Sequence, residues 1–143
     1  MSFVLSVYEQ LAADTTVTDI VSTSIYRGSA PQSAAIPYVV MHEISKPHAH
    51  HLGGASGLAM PRIQIDCIAN DPDTCETISE AIRDTLDGFR GTLGTSNTTN
   101  VRKMWLDTEL DDNFSPQDGS DVPIYRRIMD FSVAHAESVP SLA

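Results

Sequence analysis

At 143 residues, with 41% hydrophobic and 20% charged side chains, the chain has the size and make-up of one folded domain spanning residues 1–143, which excludes a disordered polypeptide. Nineteen acidic against nine basic residues leave a formal charge of -10, and the only adjacent basic pairs are Arg102-Lys103 and Arg126-Arg127, so a phosphate-tracking nucleic-acid surface is excluded. No run approaches the roughly 18 to 20 apolar residues of a membrane span, and the N-terminus has no basic region ahead of its apolar stretch, so a soluble chain with no membrane partner and no export signal is expected.

In chain order, Val4, Leu5, Val7, Tyr8, Leu11 and Ala12 recur at helical spacing behind Ser2, a side chain suited to cap a first helix. Asp14, Thr15 and Thr16 offer caps for a short second helix carrying Val17, Ile20 and Val21 and ending near Ser22. Ile25-Tyr26 reads as a brief strand, and the stretch 28–37, rich in Gly, Pro and Ala, as a loop. Tyr38 to Ser45, dense in β-branched and aromatic residues, is expected to be a strand. The glycine- and histidine-rich segment 46–60 is expected to be a flexible connection leading into Arg62–Ala69, where Ile63, Ile65 and Cys67 alternate with Arg62, Gln64 and Asp66.

Asp71, Pro72 and the acids Asp73 and Glu76 mark the start of a long amphipathic helix, along which Cys75, Ile78, Ile82, Leu86 and Phe89 repeat at three- and four-residue spacing. Gly88 or Gly91 supplies its left-handed stop. The polar run 91–100 has nothing to bury and is expected to be an exposed loop. Two strands close the chain, 101–110 and 124–136, the second with Tyr125, Met129, Phe131 and Val133 on one face, joined by an Asp-, Pro- and Gly-containing loop. Trp105, the single tryptophan, is expected to anchor the core. The fold class is α+β: a mostly antiparallel sheet packed against an N-terminal helix and one long amphipathic helix.

Candidate chemistry is sparse. His48, His50 and His51, with His42 upstream, are the residue type that binds zinc, copper or nickel, but adjacent His50 and His51 do not converge from an extended loop, and no nearby cysteine or carboxylate completes a set. The glycines from Gly53 to Gly57 lack the GK[ST] ending of a phosphate loop, and no GxSxG elbow positions a nucleophile. Cys67 and Cys75 read as small buried hydrophobes. The acidic loop with Asp111, Asp112, Asp118 and Asp121 has the oxygen-rich character that suits calcium, yet no EF-hand pattern closes it with Glu, and a solvated loop that repels DNA phosphates is expected instead. No catalytic residue, cofactor or metal is therefore expected.

Three segments carry a family resemblance: Ile25-Tyr26-Arg27-Gly28 with Pro31-Gln32 and Pro37-Tyr38-Val39-Val40; Gln64-Ile65-Asp66-Cys67 running into the Asp-rich helix start; and Tyr125 to Val133 as the final strand. With these the chain resembles, over nearly its whole length, the tail-completion or tail-terminator-like proteins of long-tailed bacteriophages and related gene-transfer particles. The resemblance implies an α+β structural protein without a catalytic motif. It implies a ring, usually of six copies, at the head-proximal end of the virion tail, made in the cytoplasm of the host bacterium. Partners so implied are the major tail tube protein and a head-tail connector or stopper protein, with DNA passing through without specific binding.

Under that reading His48, His50, His51, Gly53, Gly54, Thr95, Asn97 and Phe114 are candidate assembly-interface positions, and Asp111, Asp112, Asp118 and Asp121 candidate lumen-facing carboxylates. Six chains at -10 bring about 60 negative charges to the ring, which disfavours DNA sticking to its wall. The alternatives are a connector or stopper on the portal side and a histidine-loop metal-binding protein.

Overall fold

The computed structural model describes residues 2–113 and 123–140. In chain order the elements are α1 (Phe3–Ala12), α2 (Thr15–Val21), β1 (Ile25–Arg27), β2 (Tyr38–Ser45), β3 (His48–His51), β4 (Gly54–Ala59), β5 (Arg62–Ala69), α3 (Pro72–Leu86), β6 (Gly91–Leu93), β7 (Thr99–Asp111) and β8 (Tyr125–Ala136). The α+β class is as expected, and the sheet is antiparallel apart from the parallel β1–β2 pair.

Each helix begins where a short polar side chain accepts an otherwise orphaned backbone N–H. Ser2 Oγ accepts from Leu5 N at 3.2 Å, Asp14 Oδ1 from Thr16 N at 2.9 Å, and Asp71 Oδ1 from Thr74 N at 2.6 Å. The α3 helix runs for 15 residues with Pro72 in its first turn and buries Cys75, Ile78, Ala81, Ile82 and Leu86 along one face. Gly88, at φ +83°, turns the chain just after it ends.

β8 is the central strand. It pairs with β5 along one side and with β7 along the other, and β4 continues the line of β5 beside Ala136 and His135. The helices α1, α2 and α3 lie against one face of this sheet. The shared core joins Val39 and Met41, Ile63 and Ile65, and Met129, Phe131 and Val133 of the strands to Phe3, Val7, Leu11, Val17, Ile78, Ile82 and Leu86 of the helices. Each fully buried side chain of this size contributes about 1.5 to 3 kcal/mol of transfer free energy.

Three expectations fail. The segment 46–60 is no flexible connection: β3 and β4 form a hairpin with His51 opposite Gly54 and His48 opposite Ala59. With β2 and β5 it makes one long bent ribbon, whose far strand is held to β8 by Leu58 opposite Ala136. Tertiary pairing outweighs the low strand propensity of its glycines, and Leu52-Gly53 is a two-residue turn.

The run 91–100 is likewise structured, since β6 pairs with the start of β7 and Leu93 is fully buried. Trp105, finally, does not anchor the core: it is 45% exposed, and Met104 takes the inward position. An irregularity between Val101 and Lys103 sets the alternation so that Trp105 stands opposite Ser132, on the face away from the helices.

Candidate functional site

The hairpin of β3 and β4 presents most of the candidate interface positions. His48, His50, His51, Gly53 and Gly54 are all exposed on it, and Leu52 at its tip is fully exposed. His48 Nδ1 lies 2.7 and 2.8 Å from the two carboxylate oxygens of Glu137, while the Glu137 N–H donates to Gly57 O at 2.9 Å. The C-terminal segment thus bolts the hairpin in place. His51 Nδ1 accepts from Gly53 N at 3.0 Å, so the imidazoles serve separate local contacts. Among the described residues no group of three His, Cys, Asp or Glu side chains is placed to hold a metal ion.

The second candidate segment is clamped to α1. The Glu9 carboxylate accepts the N–H groups of Asn97 at 2.9 Å, Thr95 at 2.9 Å and Ser96 at 2.8 Å. These bonds, the one from Asn97 foremost, hold the Glu9 carboxyl below the usual range because they favour its charged form. Gln10 Oε1 accepts from Gly94 N at 3.1 Å. Beneath them Ser6 Oγ donates to the Asn97 main-chain oxygen at 2.7 Å, accepts from Asn97 Nδ2 at 2.9 Å and shares a hydrogen with Thr99 Oγ1 at 2.7 Å. Thr95 remains exposed, but Asn97 is buried in this network and presents no free side chain to a partner.

The acidic candidates are also engaged. Asp111 bonds Arg127 at 2.8 Å, which holds its carboxyl below the ordinary carboxylate value, and Asp112 lies 3.3 Å from Arg126. Phe114, Asp118 and Asp121 lie outside the described residues. A larger exposed acidic surface extends beyond the helix-start acids: Asp73, Glu76, Glu80, Asp84 and Asp87 follow one another at helical spacing along the outer face of α3 and its cap, with Arg83 beside them.

On the face of the sheet opposite α1, α2 and α3, Asp66 is 4% exposed and accepts from Arg126 Nη2 at 2.7 Å and Gln64 Nε2 at 2.9 Å. Arg62 pairs with Asp130 beside it, and Ser132 with Asp107. Both cysteines sit in the core, where burial pushes the Cys67 and Cys75 thiols up and away from the reactive thiolate. Alternation alone places Asp66 on the polar side of β5, but its burial depends on Arg126 from a strand 60 positions away.

The family model for "Tail completion protein gp17" matches residues 6–112 of the chain. The chain belongs to that family. Its matched stretch runs from the second turn of α1 to the end of β7, and so includes the bent ribbon, α3 and the clamp at Glu9. No protein with a curated description matches the sequence. Among solved structures, a chain of the virion of a native gene transfer agent particle is similar at 22% identity and a TM-score of 0.72, over 94% of this chain and 95% of that one. A second solved chain is similar at 11% identity and a TM-score of 0.49, over 96% of both. As a member of the tail completion family the chain is a structural component of a phage-type tail, and its surfaces are to be read as contacts within a particle.

Proposed function

We propose that this tail completion protein acts as one domain, residues 1–143, and caps the head-proximal end of the tail tube as a ring of six copies. The cap ends tube polymerisation and offers the surface to which the head-tail connector joins. Family membership over residues 6–112 carries this reading. The bolted hairpin supports it, because a rigid arm with an exposed apolar tip loses little entropy on docking.

In this reading His48, His50, His51, Gly53 and Gly54 meet the last ring of the major tail tube protein, and Thr95 and Phe114 meet adjoining subunits. Asp112, with Asp118 and Asp121, faces the lumen, where net negative charge lets DNA pass without specific binding, whereas Asp111, paired with Arg127 on the opposite face of β7, lies at the boundary between subunits. The protein is made in the host bacterial cytoplasm and functions at the head-proximal end of the tail. Deleting its coding sequence should leave unjoined heads and tubes of abnormal length under the electron microscope. Normal particles from the deletion would sink the reading, and density for this chain on the portal side would assign it to the connector instead.

A further inference from the structure

Among the described residues, two strands on opposite sides of the sheet have an open edge. At one, β1 pairs with β2 on a single side. At the other, β7 leaves β6 after Val101 and continues to Asp111 with β8 on one side only. Gly88 N–H donates to Met104 O at 2.6 Å and Asp87 Oδ1 accepts from Leu106 N at 2.9 Å, which covers the middle of β7 and leaves Asp107–Asp111 as the open stretch. Leu110 there is 62% exposed. Beside β1 lie two hollows of about 520 and about 290 Å³ that share Tyr8 and Ile25 as lining.

We infer that, within the ring proposed above and resting on that reading, Asp107–Asp111 of one copy adds as a strand to the β1 edge, Ile25–Arg27, of the next copy. Strand direction fits. β1 runs parallel to β2, and the antiparallel steps from β2 to β5, β8 and β7 leave β7 opposed to β1, so a rotation axis along the strands brings the two together antiparallel.

The faces fit as well. Glu109 and Asp111 stand opposite Met129 and Arg127 on the helix-covered face, where Ile25 and the exposed Arg27 also lie, since they stand opposite Val39 and Met41. Leu110, opposite Ile128, shares the other face with Tyr26, opposite Val40. The contact therefore sets carboxylates beside a guanidinium on one face and leucine beside tyrosine on the other. Pairing β7 with a second β7 would set acid against acid, so the complementary arrangement is head-to-tail, the kind that closes into a ring.

Particles carrying Arg27→Cys and Glu109→Cys in the same chain are treated with a short bis-maleimide, the native Cys67 and Cys75 being buried. A ladder of covalent multimers is expected, and none from either single variant. Particles that hold several copies yet yield only monomer overturn the inference and leave the ring standing, whereas one copy per particle sinks the ring as well. Charge exchange gives a second readout: Arg27→Glu and Glu109→Lys should each cut incorporation into particles about tenfold, a change typical of one close charge pair at an interface. The double variant should restore it, and a double variant no better than the singles also overturns the inference.

Discussion

Ser6→Ala tests whether the clamp between α1 and the start of β7 is a satisfied buried network. The hydroxyl is fully buried and meets the Asn97 main-chain oxygen, Asn97 Nδ2 and Thr99 Oγ1 at 2.7, 2.9 and 2.7 Å. Truncation leaves the Asn97 amide its bond to Ser2 O at 2.8 Å but orphans the Asn97 carbonyl and the Thr99 hydroxyl. An orphaned buried polar group costs roughly 1 to 3 kcal/mol, so two give about 2 to 4 kcal/mol once partial access by water is allowed. For a domain of this length each kcal/mol lowers the melting temperature by about 3 to 4 °C, which predicts a fall of roughly 6 to 16 °C. Equilibrium unfolding in urea should show a lower midpoint at unchanged slope, and amide exchange at Thr95, Ser96 and Asn97 should accelerate. A loss under about 0.5 kcal/mol, the range of an ordinary surface substitution, would refute the reasoning.

Glu9→Gln should destabilise at neutral pH, and the gap from wild type should close in acid. The folded carboxyl lies below its ordinary value of about 4.3, so its contribution is present above that value and is lost as pH falls beneath it. Melts at several pH values test this, and a gap that stays constant down to strong acid contradicts it. Asp66→Ala strips a buried partner from Arg126, whose side chain is 32% exposed, and should cost about 2 to 3 kcal/mol after discounting for solvent at the guanidinium. Adding Arg126→Met should recover most of that loss in the same unfolding assay. Trp105→Ala should cost less than about 1 kcal/mol, against the roughly 3 to 5 of a core aromatic, and denaturant midpoints separate the two.

The elements legible in the sequence are those whose pattern is local. Ser2 and the Val4 to Ala12 stripe give α1, Asp71-Pro72 and the Cys75 to Leu86 spacing give α3, and the alternation of Ile63, Ile65 and Cys67 gives β5. What escaped depends on partners far along the chain. His48 to Ala59 looks like a linker until β8 and Glu137 are placed beside it. Leu93 looks unsupported until β6 finds β7 and the core closes over it. Trp105 escapes a local reading because one irregular residue upstream reverses which side chains point inward, and no composition signal marks it. Of the candidate site, the exposed hairpin positions were readable by type, but Glu9 and Ser6 were not. In isolation Glu9 only interrupts an apolar stretch, and its purpose appears when Thr95 to Asn97 fold onto it.

That clamp also bears on the order of folding. The bonds from Glu9 and Ser6 join positions 86 to 93 residues apart, so closing them carries the entropy of a loop that is most of the chain. β1, β2, β5 and α3 all lie within that loop. α1 precedes them in the chain, yet Ser6, Glu9 and Gln10 meet their distant partners only once the stretch from Gly94 to Thr99 has been made, and contacts of such long separation form slowly. The polar clamp on α1 therefore closes late, after the apolar side of the helix can already pack against α2 and β1, and it locks the helix down only when the sheet is nearly complete.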